Sequence, residues 1–552
     1  MNIVTRTAHA LIRSTARHDA LFFARHRHRA RAVQERILLR ILHSNRSCSF
    51  GVEHGFDRIS SLATFREKVP IRTWEEFSPL VGEAMHSGSP VLTSRPIPLF
   101  QPTSGTSQSV KFIPSTPELK REFSVAVNVW LSDLYSRFPA IARGRQYWSI
   151  SPPAAQKASA QCPGGRIGFD DDVEYLGWSG FLVRAAMAVP SSVIKAPTVN
   201  RFMQDTAARL LLAEDLSLIS VWNPTFLIVI LSMLETHTED VLRRVSEYAS
   251  GRGNFSRIMP PDIRRAKTVE KVLGRHGILS ADATAALWPG LAVLSCWADG
   301  ASAEPAQRIR FLFPHAALQP KGLCATEGMI SIPFSEKGGA TVAYTSHFLE
   351  FLPSCGGSAC TLDELDAGGS YRVVLTTGGG LYRYALGDIV RVCGMENGLP
   401  VLVFTGRDSV CDLTGEKLHD NEVATATTEA LDETGIVAGF RLLAPEKDGD
   451  RFHYTLFAEI TDDPERQSVL AEDLDRRLRR NFHYDYARNL GQLTSCRVAR
   501  VDASAFSTYF ERRLAGGMKA GDIKTVALDS RADWREWLLA KPANAGRVPC
   551  AS

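Results

Sequence analysis

"QPTSGTSQSVKFIP", residues 101–114, gathers Ser and Thr around Gly105 and ends on Lys111 before an apolar pair. The lysine leads into Phe112-Ile113, which favour a strand, and Pro114 biases Ile113 away from helix. Because "IPLF" precedes the loop, the context is strand, loop, strand. A P-loop of the form G-x-x-x-x-G-K-S/T needs a helix directly after its lysine, so that backbone amides and dipole face the phosphate. That version is excluded. Two readings stay open: a plain hairpin turn, or a loop that holds phosphate with hydroxyls and backbone N–H groups while Lys111 adds charge.

Outward from this loop, strand-like and helix-like segments alternate. In "TPELKREFSVAVNVWLSDL", Thr116 as N-cap and Pro117 in the first turn predict a helix start. "SYRVVLTT" and "LPVLVFTG" read as β-rich runs bounded by glycine. Asp463-Pro464-Glu465 opens a helix with Leu470, Leu474 and Leu478 on one face. Near the start, Ile37, Leu38, Ile41 and Leu42 form a helical stripe that continues a basic, acid-poor stretch. That stretch reads as a basic amphipathic helix covering the domain; a transit peptide is the other reading. The strand pattern breaks after Phe404 at "TGRDSVCDLTGEK". The expected fold is α/β, with a large N-terminal domain of β-sheets and packed helices (residues 1–405) and a small C-terminal α+β domain (residues 406–552).

Composition sets the class. The 552 residues exceed one core, and 44% hydrophobic with 22% charged residues describe an ordinary globular protein. A formal charge of +4, with Lys and Arg spread along the chain, does not point to nucleic acid. No stretch reaches the length of a transmembrane span, no secretory h-region is present, and the expected location is cytoplasmic. The ten cysteines include no C-x-x-C pair, so reduced thiols are expected rather than a zinc cage.

Four further stretches carry chemistry. In "KGLCATEGMISIPF", Thr326-Glu327 sits at an expected strand end. Its carboxylate could ligate magnesium, which takes oxygen ligands and pairs with nucleotide phosphates; an ion-paired edge glutamate is the plainer reading. In "YRVVLTTGGGLYRYALGDIVRVCG", Asp388 follows Gly387 at an expected strand entrance. There it could accept from both ribose hydroxyls, or simply occupy a Gly-Asp turn. Arg407 falls at the domain boundary, and Lys417 and Lys524 lie in glycine-bearing segments of the small domain. On a mobile domain such lysines could neutralise a developing negative charge; alone, a solvated side chain is the plainer reading of each. "YLGWSGF" around Ser179 lacks the last glycine of a nucleophile elbow, and Asp170, Asp171 and Asp172 lack EF-hand spacing.

In this order the stretches resemble the Gretchen Hagen family of acyl-acid amido synthetases, a branch of the adenylate-forming superfamily. "TSGTSQSVK" resembles its phosphate loop, "CATEG" its Thr-Glu motif and "LYRYALGD" its tyrosine-rich Gly-Asp motif. "GEKLHDNEV" is similar to the superfamily pattern G-x-R/K-I/L-x-x-x-E-I/V that follows the hinge. "YWSISPP", "LWPGLAVLSCWADGASA" and "HFLEFLP" look like bacterial-type members. The resemblance runs from about Val33 to Leu528.

It implies a large adenylating domain and a small mobile one, with ATP and Mg²⁺ as cofactors. Ser104, Thr106 and Ser107 would contact the ATP phosphates, with Lys111 closing the loop. Glu327 would ligate magnesium beside Thr326, Asp388 would hold the ribose, and Gly300 would lie beside the nucleotide. Arg407 would mark the hinge, and Lys417 and Lys524 would approach the phosphates and the reacting carboxylate. Its partners would be a carboxylic acid and an amino acid or other amine, with no nucleic acid and no membrane. An acyl-CoA ligase and a non-catalytic small-molecule binder are the alternatives. Gln108 departs from a common loop glycine, and Leu323 from a common adenine-stacking aromatic. Tyr147-Trp148 and Trp222 are the aromatic candidates for an acyl-pocket wall.

Overall fold

The computed structural model describes residues 3–103, 111–149, 161–167, 178–250, 262–276, 280–334, 338–407, 410, 411, 413, 414, 416–448, 451–461, 463–515, 518 and 523–539. Ser104, Thr106, Ser107 and Gln108 of the opening loop lie outside that set, as do Asp170, Asp171 and Asp172. The chain divides into two compact units, one made mainly of Met1–Thr405 and one of Gly406–Met518 with Ile523–Ser552.

In the large unit, Arg145–Trp148, Leu216–Ser220, Val293–Cys296 and Ala317–Pro320 form a parallel sheet in chain order. The two central strands are buried at every position, as expected where helices cover both faces of a parallel sheet. Helices such as Val199–Leu212, Pro224–Thr236 and Ala303–Leu312 supply the crossovers. A second sheet of six strands orders Ser331–Ile332, Ala340–Val342, Leu399–Arg407, Tyr384–Glu396, Ser370–Thr376 and Phe348–Pro353.

The strand–loop–strand reading holds. Leu99–Thr103 pairs antiparallel with Lys111–Ser115, with Thr103 opposite Lys111. Thr116 caps the helix Pro117–Arg137 by accepting from the Leu119 N–H at 3.1 Å, with Pro117 in the first turn. The stripe of Ile37, Leu38, Ile41 and Leu42 is buried on the helix Ala30–Ser44. Among the described residues, no helix is long and apolar enough to cross a membrane.

The small unit packs the helices Asp420–Thr434 and Pro464–Leu478 on a three-stranded sheet of Arg441–Asp448, Arg451–Glu459 and Arg497–Val501. Asp463 caps the second helix through the Arg466 N–H at 2.9 Å, and Leu470, Leu474 and Leu478 enter the core.

One expectation is corrected. Asp388 lies inside the strand Tyr384–Glu396, not at its entrance. The register against Ser370–Thr376 shifts between Arg372 and Val374, so Leu386, Gly387 and Asp388 stand opposite a single residue. Gly387 supplies the φ of 83° that this bulge needs. Two apolar runs flank the bulge, and only pairing with a distant strand reveals that they are one strand.

Candidate active site

Three of the sequence motifs meet in the large unit. Lys111 opens its strand, and its Nζ donates to the Tyr384 hydroxyl at 3.3 Å. That hydroxyl reaches Glu327 Oε1 at 3.5 Å, and the ammonium also stands 5.7 Å from the centre of the Trp74 ring. Tyr384 is fully buried and begins the strand that carries Asp388. Thr326 and Glu327 form the turn between two antiparallel pieces, Cys324–Ala325 and Gly328–Met329. This turn leaves Thr326 half-buried and buries Glu327, which is 6% exposed. A buried carboxylate needs charge or hydrogen-bond compensation, and the Lys111–Tyr384 chain points a cation and a hydroxyl toward it.

Gly300 follows Asp299 after the strand Val293–Cys296, and its φ of 55° favours glycine. A Cβ there would lie 3.3 Å from the Phe404 ring. Burial raises the Asp299 carboxyl above its ordinary range, and the Phe404 backbone N–H opposes that rise. Asp388 is buried at 2% exposure. Leu323 presents no ring, and its backbone is pinned because its N–H donates to Ser331 Oγ at 2.9 Å.

The small unit sets out its lysines differently. Glu416 is completely buried and accepts from the Leu413 and Thr414 N–H groups at 2.9 and 2.8 Å and from the Tyr454 hydroxyl. This fixes a tight loop in which Lys417 takes φ 44° and is exposed. The Asn481 amide donates to the Lys417 carbonyl at 3.2 Å. The Lys524 carbonyl accepts the Tyr509 hydroxyl at 2.6 Å. Just beyond, the Ala527 and Leu528 N–H groups both donate to Asp420 Oδ1 at 2.9 Å. Burial raises the Asp420 carboxyl, while those two N–H groups and the nearby Arg407 charge oppose the rise. Asp420 therefore ties the start of its helix to the segment just after Lys524, within the field of the Arg407 charge.

Sequence reasoning missed three buried groups. Arg383, held at φ 48°, donates to Glu350 at 2.9 and 3.2 Å and to the Val69 carbonyl at 2.9 Å. It anchors the tyrosine-rich motif from behind. Lys321 follows the strand Ala317–Pro320, donates to Ser220 Oγ at 2.8 Å and faces the rings of Trp130, Trp222 and Trp148 at 4.2, 4.6 and 5.6 Å. Burial pushes its pKa down to about 7, whereas indole faces favour the ammonium. Two of the aromatic pocket-wall candidates, Trp148 and Trp222, thus surround Lys321 at the carboxyl ends of the parallel strands, where α/β sheets bind ligands. The third missed group is the pair of Glu122 and His347, whose Oε2 and Nδ1 lie 2.9 Å apart. The available signals were weak: a lysine between Pro320 and Gly322, and a carboxylate between Leu119, Phe123 and Ala126 on an apolar helix face.

Comparison with known proteins places the chain in a family. The sequence matches the GH3 family N-terminal domain over residues 21–318, the central domain over 340–407 and the C-terminal domain over 420–531. It is 24% identical to a probable indole-3-acetic acid-amido synthetase, GH3.12, of Oryza sativa subsp. japonica, across 91% of this chain and 92% of that protein. Identity is also 24% to the jasmonoyl–L-amino acid synthetase JAR6 of Nicotiana attenuata, across 89% and 90% of the two chains. The fold superposes on the solved GH3.15 acyl acid amido synthetase with a TM-score of 0.78 at 18% identity, covering 93% and 94% of the chains. With all three of the family's domains matched in order, the chain belongs to the GH3, or Gretchen Hagen, family.

Proposed function

We propose that this chain is an ATP-dependent acyl-acid amido synthetase. It joins a carboxylic acid to ATP as an acyl adenylate with loss of pyrophosphate, then passes the acyl group to an amine, that of an amino acid, with release of AMP. The observation that carries the reading is the contact chain Lys111–Tyr384–Glu327, which joins the phosphate-loop, tyrosine-rich and Thr-Glu motifs at one place. Family membership supports it, and so do the activities named for the indole-3-acetic acid and jasmonate relatives.

A carboxylate is a poor electrophile, and adenylation gives it a leaving group. Negative charge builds on the departing pyrophosphate, so the chain must present cations and donors there. Lys111 and the hydroxyls of Ser104, Thr106 and Ser107 serve the phosphates in this reading. Asp388 holds the ribose, Gly300 lets the nucleotide approach, and Thr326 borders the α-phosphate and acyl carboxylate. The chemistry of Glu327 fits magnesium: a buried carboxylate beside the Tyr384 hydroxyl offers the oxygen ligand that this hard cation takes. Magnesium usually keeps water and phosphate oxygens and takes one or two carboxylates. It would supply charge neutralisation on the phosphates. In the small domain, with its hinge near Arg407, Lys417 approaches the phosphates and Lys524 the reacting carboxylate.

The test is pyrophosphate release over a panel of aryl, indole-acetic and jasmonate-like acids, each offered with amino acids or with CoA. Amide products and AMP are expected. Thioester with CoA and no amide would replace this reading with an acyl-CoA ligase, and no AMP with any acid would replace it with a binder.

A further inference from the structure

His347 is completely buried, and the mechanism above leaves it idle. A carboxylate can only accept, so Nδ1 carries the proton it shares with Glu122. The opposite nitrogen, Nε2, is buried with no hydrogen-bond partner among the described residues. The ring packs against Gly328, the residue after Glu327: a Cβ at 328 would lie 3.1 Å from Cδ2 and 3.2 Å from Nε2. Leaving a buried ring nitrogen unpaired is costly. A site that needed only bulk would hold an apolar ring.

Glu122 does more than orient the imidazole. Its two oxygens accept the Gly378 N–H at 3.2 and 3.0 Å, and the Thr116 hydroxyl of the same helix donates to the Gly378 carbonyl at 2.9 Å. Both backbone groups of Gly378 are therefore held by the helix that follows the Lys111 strand. Gly378 opens the glycine turn leading to Tyr384, and a Cβ there would sit 2.8 Å from Glu122 Oε1. Gln34 fixes the other side: its amide donates to the Tyr344 and His347 carbonyls at 2.7 and 2.6 Å and accepts from the Leu349 N–H at 2.8 Å.

We propose that Glu122 and His347 form a positioning pair that sets the Glu327 turn and the Tyr384 turn in register with the Lys111 strand, and so tunes how Glu327 meets magnesium. The inference rests on the reading of Glu327 as a magnesium ligand. The pair touches neither substrate nor metal; it acts through Gly328 and Gly378.

The experiment measures how much magnesium is needed for ATP to raise the melting temperature of the full chain, alongside kcat and KM for ATP in pyrophosphate release. His347→Phe keeps the ring and loses the carboxylate bond, and Glu122→Gln weakens it. Gly328→Ala pushes on the imidazole while leaving both residues of the pair in place. Each is expected to need about tenfold more magnesium for half of the thermal shift, the scale on which residues behind metal ligands act, with KM for ATP rising more than kcat falls. A purely structural role would lower the melting temperature of the unliganded protein and leave the magnesium requirement alone. Any one variant that folds with the wild-type requirement overturns the proposal, as does failure of all three to fold. Glu327→Gln separates the layers. If it leaves the requirement unchanged, the reading of Glu327 fails and takes this inference with it. If it raises the requirement and the other variants do not, only the positioning pair fails.

Discussion

The two units hold their candidate site residues in opposite ways. In the large unit Lys111, Tyr384 and Glu327 touch one another, and the last two are buried. In the small unit the lysines are held by their backbone carbonyls, which accept from the Asn481 amide at Lys417 and from the Tyr509 hydroxyl at Lys524. Lys417 is exposed and Lys524 half-buried. A site that binds a highly charged substrate in its ground state gains from groups fixed in advance. A charge needed only as the leaving group develops can instead be carried on a side chain whose backbone alone is fixed in advance by the bonds described.

The largest effect should come from the small unit. Lys524→Ala is expected to slow single-turnover formation of the acyl adenylate by about 10²–10³-fold, the scale of losing one preorganised charge stabiliser, with little change in ATP affinity. An unchanged rate would break the contrast at once, because Lys524 would then be a surface lysine in a well-anchored segment.

Lys111→Ala should act the other way. It is expected to weaken ATP binding by roughly tenfold, a charge-assisted bond's worth, and to slow turnover less. Tyr384→Phe should give a smaller change of the same kind, since it removes only the bridging hydroxyl. Titration of ATP against each purified variant decides it. A variant that loses kcat but keeps its ATP affinity would make the large unit a source of transition-state charge as well.

How far the sequence alone reaches follows from these same residues. Thr116-Pro117 and Asp463-Pro464 marked helix starts because capping is local chemistry within four residues. The strand–loop–strand around Lys111 was legible for the same reason. What lay hidden depends on pairing across the chain. Glu122 meets His347 from 225 positions away and Gly378 from 256. The bulge at Asp388 exists only against Ser370–Thr376. Lys321 gains its environment from tryptophans delivered by three separate segments. Site motifs could be recognised one by one, but not the buried polar groups that hold them.

Lys321 sharpens the contrast within the large unit, where a buried cation has aromatic faces and one hydroxyl in place of a carboxylate. Its pKa is depressed from the ordinary lysine value of 10.5 to about 7. Between those values the unfolded chain binds the proton and the folded chain does not, so stability should rise as pH rises through that window. Lys321→Met should remove this part of the slope. Urea midpoints at pH 7 and pH 10 for both proteins test it, and equal slopes would mean that the indoles keep the ammonium charged throughout.

The smallest expected effect belongs to the small unit, where Glu446 reverses that sign. Burial pushes its carboxyl up, but neighbouring His453, the paired bonds from Arg535 at 2.6 and 2.8 Å and the Thr455 hydroxyl outweigh it and hold the pKa well below the usual range. A depressed carboxyl contributes stability that is present above the unfolded pKa, near 4.5, and is lost as pH falls below it. Arg535 is half-exposed, so the loss in Glu446→Gln should be modest, about 1 kcal/mol at pH 7. The variant should also lose less than the wild type on going from pH 6 to pH 3. Arg535 lies in the helix Trp534–Leu539, and Glu446 on the strand Arg441–Asp448. Hydrogen exchange should therefore show the loss first in that helix. An equal loss of protection across the whole small unit would show that Glu446 supports the core, rather than tethering the segment that follows Lys524.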